Sequence, residues 1–139
     1  MILKVKNISK IGGIVKAPPS KSYSHRAVIL ASLSQGTSKL YDMLYSEDTL
    51  SSIRVCKSLG AKITKHEKYL EVIGTGGKLH NFSDIPIDLA NSGTTLRLMT
   101  PVSALSDNEV ILTGDESLQT RPMGLLMDAL KPLGIATKS

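Results

Sequence analysis

A chain of 139 residues with 41% hydrophobic and 21% charged residues has enough apolar material for one domain with a real core, and wholesale disorder is excluded. Aromatic residues are only 4% with no Trp, so the core must be aliphatic. The net charge of +5, from 17 Lys+Arg against 12 Asp+Glu, calls for anionic partners, but the basic residues are dispersed and stacking aromatics are scarce, which speaks against nucleic acid and for small phosphorylated ligands.

In chain order, residues 2–5 and 13–16 read as short strands around a Gly12-Gly13 turn. The stretch from Met1 to Lys6 alternates like a strand and does not resemble a signal peptide, and no apolar run approaches the length of a membrane span. A soluble cytoplasmic protein is the expectation. Pro18-Pro19 ends extended structure, because proline fixes φ and restrains the residue before it. Ser20 then caps a helix running to about residue 33, closed by Gln35-Gly36. Residues 38–44 suggest a strand, and Ser46 a cap for a second helix over about 49–59, stopped by Gly60. The lone cysteine, Cys56, lies in that helical pattern near Ile53 and Leu59 and reads as a buried structural thiol in a reducing compartment. Residues 61–65 and 69–73 read as two strands joined by a polar turn, and 74–77 as another turn.

The order then repeats. A strand-like segment precedes a helix over 91–105, followed by an apolar strand over 109–113 and a helix over 122–133 ended by Gly134; residues 135–138 begin a strand. Residues 58–65 (SLGAKITK) match 132–138 (PLGIATK), and Arg26 and Arg97 sit at comparable depths in their helices, at offsets of 74 and 71 residues. This indicates two copies of a strand-helix-strand-helix unit, the second without its last strand. The chain reads either as truncated or proteolysed within a repeat, or as a short domain with a frayed end.

Three segments place polar and basic groups at a helix start, where free N–H groups and the positive dipole end suit phosphate or carboxylate. In Pro18-Pro19-Ser20-Lys21-Ser22-Tyr23-Ser24-His25-Arg26, Ser22 and Arg26 share a helix face, and Lys21 opposes the dipole unless an anion lies between it, Arg26 and the N–H groups. A capped surface helix with incidental charges is the plainer alternative. His25 lies one position off that face, without an acid or nucleophile partner in sequence, and reads as a packing or surface residue. In Asp88-Leu89-Ala90-Asn91-Ser92-Gly93-Thr94-Thr95-Leu96-Arg97, Gly93 lets a ligand approach the backbone and Asn91 can cap or donate. Spacing alone does not separate this from an ordinary capped helix. In Gly114-Asp115-Glu116-Ser117-Leu118-Gln119-Thr120-Arg121-Pro122, Pro122 suits the first helical position and Arg121 is free to grip a carboxylate, although in isolation it is simply a loop arginine. Residues 74–77 lack the Lys-Ser or Lys-Thr of a P-loop, and His25, His66 and His80 form no metal-ligand pattern.

Together these segments resemble the EPSP synthase family, the 3-phosphoshikimate 1-carboxyvinyltransferases. The family's Pro-Pro-Ser-Lys-Ser-x-Ser-x-Arg-Ala string matches residues 18–27, its Asn-Ala-Gly-Thr-x-x-Arg string falls on 91–97, and its Gly-Asp-x-Ser-Leu-x-x-Arg-Pro-Met string is complete at 114–123. The resemblance spans essentially the whole chain and about the first third of the family's length. Two departures are Ser92, where the family usually has Ala, and Ala90, where Gly is more usual.

The resemblance implies an α/β fold of repeated βαβαββ units, the inside-out α/β barrel of enolpyruvyl transferases, with about two units present and incomplete. Residues 1–17 would belong with the other domain and 18–139 to a partial N-terminal domain, with a first repeat over about 18–87 and a truncated second over about 88–139. The implied reaction moves the enolpyruvyl group of phosphoenolpyruvate to the 5-hydroxyl of shikimate 3-phosphate, releasing phosphate, on the shikimate pathway to aromatic amino acids. It proceeds by addition and elimination, without metal or organic cofactor. Lys21, Ser22 and Arg26 would contact shikimate 3-phosphate, with Lys21 also near phosphoenolpyruvate and contributing to catalysis. Gly93 and Arg121 would line the phosphoenolpyruvate site, Arg121 on the carboxylate, with Asn91 and Arg97 supporting the loop. The family's acid/base groups lie in a second domain, so this chain alone would be inactive. UDP-N-acetylglucosamine enolpyruvyl transferase shares the fold and phosphoenolpyruvate, but Lys21-Ser22 with Arg26, and Arg121-Pro122-Met123, favour the shikimate enzyme. A non-catalytic anion-binding module is the alternative of another class. Neither nucleic acid nor a membrane is an expected partner.

Overall fold

The computed structural model describes residues 2–80 and 85–139. Helix α1 spans Lys21–Leu33; Ser20 stays extended and accepts a hydrogen bond from the Tyr23 N–H, as its cap reading requires. Helix α2 spans Glu47–Ser58 behind a full capping box, in which Ser46 Oγ accepts from the Thr49 N–H and Thr49 Oγ1 accepts from the Ser46 N–H. Its first turn carries Glu47 and Asp48 and its last carries Lys57, the signs its dipole favours.

Strands β1 (Thr37–Tyr41), β2 (Lys62–Lys65) and β3 (Tyr69–Ile73) form a sheet in the order β1-β3-β2. Both outer strands run antiparallel to β3, with Leu40 opposite Leu70 and Ile63 opposite Val72. They are therefore parallel to each other, and α2 is the crossover between them. Alternation turns Leu70, Val72 and Ile63 inward and leaves Tyr41, Thr64 and Ile73 exposed. The inner face packs with α1 and α2 into an aliphatic core that includes Val28, Val55, Leu59 and Cys56. Burial raises the Cys56 thiol pKa to about 11, which makes it an inert packing group.

The second half begins with β4 (Ile87–Asp88), continues through α3 (Gly93–Ser103) and returns in β5 (Leu112–Thr113), parallel to β4. Leu89, Met99 and Leu118 extend the same core, and α3 packs on α2. Two short helices follow, α4 (Glu116–Gln119) and α5 (Gly124–Leu130), then a 3-10 turn over Lys131–Leu133 that ends at Gly134 with φ 79°.

Several boundaries differ from the sequence reading. Residues 2–5 and 13–16 are not strands; every residue from 2 to 19 is exposed and none pairs with a strand among the described residues, and alternation without a partner ladder does not make a strand. Met1 lies outside the described residues. The first copy thus lacks a paired opening strand. Strand β1 stops at Tyr41 because Asp42 turns to φ 51°. Helix α3 starts at Gly93 with Ser92 as its cap, so Asn91 is free for another task. The helix read over 122–133 is displaced: Asp115 caps the unforeseen α4 through the Leu118 N–H, and Pro122 falls in the break before α5. Residues 135–138 form no strand among the described residues.

Candidate functional site

The N-terminal turns of α1, α2 and α3 border one open cleft of about 480 Å³, lined by Lys21, Ser46, Glu47, Asp48, Asn91, Gly93, Thr94 and Arg121. Three positive helix ends therefore face one space. Two were anticipated at Ser20 and Asn91; the third, at Ser46, was read only as a cap.

Lys21, the first residue of α1, donates to Asp48 Oδ2 at 2.7 Å and remains half-exposed to the cleft. That hydrogen bond holds the Asp48 carboxyl below its ordinary value against the opposing effect of burial, with Ser92 helping. The Asp48 carboxylate thereby offsets the conflict between Lys21 and the α1 dipole that sequence reasoning had assigned to an anion. Opposite, Arg121 Nη2 donates to Asn91 Oδ1, and Asn91 Nδ2 donates to Asp115 Oδ2 at 2.9 Å. The Asp115 side chain also caps α4, so Arg121 is oriented by a polar chain that ends on a helix start. Arg97 reaches back from α3 to the Gly93 carbonyl and across to the Pro122 carbonyl, both at 3.4 Å, and so braces the start of α3 against the Arg121-Pro122 segment.

A methyl on Gly93 would collide with Arg121 Nη1 and lie 3.1 Å from Arg97 Nη1. Glycine lets two guanidinium groups close over the start of α3, an independent reason from ligand access. Ser22 and Arg26 are exposed on α1 and outside the cleft lining; the Arg26 guanidinium lies 5.0 Å from the centre of the Tyr23 ring. The structure thus gathers Lys21, Asn91, Gly93 and Arg121 and leaves Ser22 and Arg26 apart from them. It adds Ser46, Glu47, Asp48 and Thr94, for which the capping signature at Ser46 was the available signal.

The two departures in the second motif acquire structural meanings. Ala90 sits at φ 50°, in the left-handed region where glycine is favoured. Ser92 caps α3 and bonds to Thr95, work that an alanine could not do. Among the described residues, no group of His, Cys, Asp and Glu is arranged to hold a metal ion, and no helix is long and apolar enough to cross a membrane.

The family model for EPSP synthase (3-phosphoshikimate 1-carboxyvinyltransferase) matches residues 5–139. The chain belongs to the EPSP synthase family. The 3-phosphoshikimate 1-carboxyvinyltransferase of Methanobrevibacter smithii is 71% identical over 139 residues, which is 100% of this chain and 32% of that protein. The enzyme of the same name from Methanothermobacter thermautotrophicus is 52% identical over 100% of this chain and 33% of its own length. EPSP synthase from Acinetobacter baumannii superposes with a TM-score of 0.83 at 27% identity, covering 91% of this chain and 30% of that structure. The α/β fold is therefore part of the EPSP synthase fold, and the chain spans about a third of the length of the curated relatives it matches.

Proposed function

We propose that this chain supplies the anion-binding wall of a 3-phosphoshikimate 1-carboxyvinyltransferase site, with Lys21 and Arg121 as its cations beside the carboxylates of Glu47 and Asp48. The observation that carries the reading is the convergence of three helix N-termini, Lys21 and Arg121 on one cleft. Arg121, held by Asn91, grips the phosphoenolpyruvate carboxylate in bidentate fashion. The α3 N–H groups beside Gly93 and the Lys21 ammonium face its phosphate. Ser22 and Arg26 bind shikimate 3-phosphate from the outer side of α1. The 5-hydroxyl of shikimate 3-phosphate then attacks C2 of protonated phosphoenolpyruvate, and phosphate leaves from the tetrahedral intermediate.

What these residues contribute is positioning and stabilisation of charge on the departing phosphate, not proton transfer. Groups that move the protons come from a second domain, with which residues 1–17 also belong. The cytoplasm, where the substrates would be made, is the fitting location.

A titration followed by NMR tests the reading. Phosphoenolpyruvate should shift the amides of residues 91–95 and the Arg121 guanidinium, and shikimate 3-phosphate those of 21–26. Both affinities should be about millimolar and fade with salt, because half a cleft leaves each contact solvent-screened. Arg121→Ala should reduce the phosphoenolpyruvate response at least about tenfold. The 139-residue chain alone should show no enolpyruvyl transfer. A response to UDP-N-acetylglucosamine in place of shikimate 3-phosphate would move the substrate assignment to the sister enzyme, and shifts elsewhere on the surface would reject the site.

A further inference from the structure

Beneath the cleft, a file of buried polar side chains joins the three helices. His25 of α1 is completely buried, and its Nδ1 lies 2.7 Å from Ser52 Oγ of α2. Ser52 Oγ lies 2.9 Å from Thr95 Oγ1 of α3, and Thr95 Oγ1 lies 2.8 Å from Ser92 Oγ. Thr95 Oγ1 also reaches the backbone carbonyl of Asp48, at 3.2 Å. Ser52, Thr95 and Ser92 are each no more than 1% exposed. The file therefore ends on the main chain of the residue whose carboxylate holds Lys21.

Proton counting gives this file a direction. A carbonyl only accepts, so Thr95 donates to Asp48 and must accept from both Ser52 and Ser92. Ser52 has then spent its one proton, and its oxygen must accept from His25 Nδ1–H. Four protons fill four contacts, and the longer Ser92 Oγ–Asp48 carbonyl contact, at 3.4 Å, goes without one. In the opposite sense Ser52 donates to Nδ1 and Thr95 to Ser52, and the one remaining proton, on Ser92, must choose between Thr95 and Asp48. Two of the five contacts are then left empty, and a buried Nε2–H is left with no acceptor. Among the described residues no protein partner lies within hydrogen-bonding reach of Nε2, so only the first arrangement avoids a stranded donor. Burial and the nearby Lys21 both disfavour a second proton on the ring, outweighing the Asp48 charge.

We propose that His25, as the neutral Nδ1–H tautomer, is a positioning residue: it sets the direction of a hydroxyl file that locks α1 and the first turn of α3 to Asp48 and so fixes Lys21 in the cleft that Gly93 also lines. His25 does not line the cleft and touches no ligand there. Its consequence for binding rests on the cleft being the phosphoenolpyruvate site.

Long-range proton–nitrogen NMR of the wild-type 139-residue chain at neutral pH reads the tautomer without any ligand. Nδ1 should resonate as the protonated nitrogen and Nε2 as the bare one. The reverse pattern, or an imidazolium, overturns the proposal. Two substitutions then separate positioning from mere filling. In His25→Asn the amide N–H falls near the Nδ1 position, whereas in His25→Gln it falls near Nε2. The asparagine variant should keep phosphoenolpyruvate affinity within about threefold, and the glutamine variant should lose at least about tenfold, with the amides of 92–95 displaced. Equal behaviour of the two folded variants overturns the proposal. If the glutamine variant does not fold, the wild-type tautomer decides alone. If wild-type protein ignores phosphoenolpyruvate, the anion-site reading fails, and the tautomer together with the 92–95 amides of His25→Gln still decides the positioning role.

Discussion

Gly93 and Ala90 stand three residues apart, and opposite constraints act on them. At Gly93 the neighbours are the ends of two arginine side chains, which can move. Gly93→Ala should therefore fold with stability within about 1 kcal/mol of wild type, while the Arg121–Asn91 contact breaks; arginine side-chain NMR would show the Arg121 signals displaced and a denaturant titration the unchanged midpoint. At Ala90 the constraint is the backbone, held at φ 50° by its N–H donating to Asp88 Oδ1 at 2.8 Å and its carbonyl accepting from the Asp115 N–H at 3.0 Å. Ala90→Gly removes a left-handed strain of about 1 kcal/mol, partly offset by the greater freedom of glycine in the unfolded chain, so the urea midpoint should rise modestly. A lower midpoint would mean that the alanine methyl is needed for packing. Both motif positions were visible in the sequence. Arg97 lies four residues on in the same motif, whereas Arg121 lies 28 residues further on and was set beside Gly93 only by the family resemblance.

At the scale of elements, caps were the most legible feature. Ser20 and Ser46 cap the helices assigned to them because an N-cap is a local contact within three residues. Lengths in the second half were less legible. Asp115 captured a short helix, and Pro122, which lacks an N–H but also restrains Arg121, fell at a break instead of an N1 position. Gly74 shows a long-range demand that no local signal carries. A Cβ there would strike the carbonyl oxygens of Ser34 and Ala31 at the end of α1. Backbone cannot step aside as a side chain can, so Gly74→Ala should cost about 1–3 kcal/mol, measured as a lower thermal and urea midpoint. Loss of less than about 0.5 kcal/mol would show that the β3 exit and the α1 end separate easily.

Over the whole molecule, two groups with depressed folded values make stability depend on pH in one direction. His25 titrates below its ordinary 6.5 because it is buried, and Asp48 below its ordinary 3.8 because Lys21 binds its carboxylate. In each case the unfolded chain holds more protons across the window, so stability rises with pH there. Urea midpoints should fall as pH drops through 6.5 towards the folded value of His25, and again below 3.8. His25→Asn should abolish the upper step and leave the lower one. A flat profile between pH 7 and 5 would show that His25 is not buried as a neutral ring. Composition, the helix caps, the strand alternation of 61–73 and the three motif strings were all determined by the sequence itself, because each depends on residues close in the chain. They sufficed for the α/β class, the family and the choice of Lys21, Asn91, Gly93 and Arg121. Only the tertiary structure brought the α2 start to the same cleft, separated Ser22 and Arg26 from it, and turned His25 from a bland packing residue into one end of a file through Ser52 and Thr95. Those contacts join residues 27 and 43 positions apart, and a separation of that size is closed by the packing of α1, α2 and α3 on one core, not by any local preference of the chain.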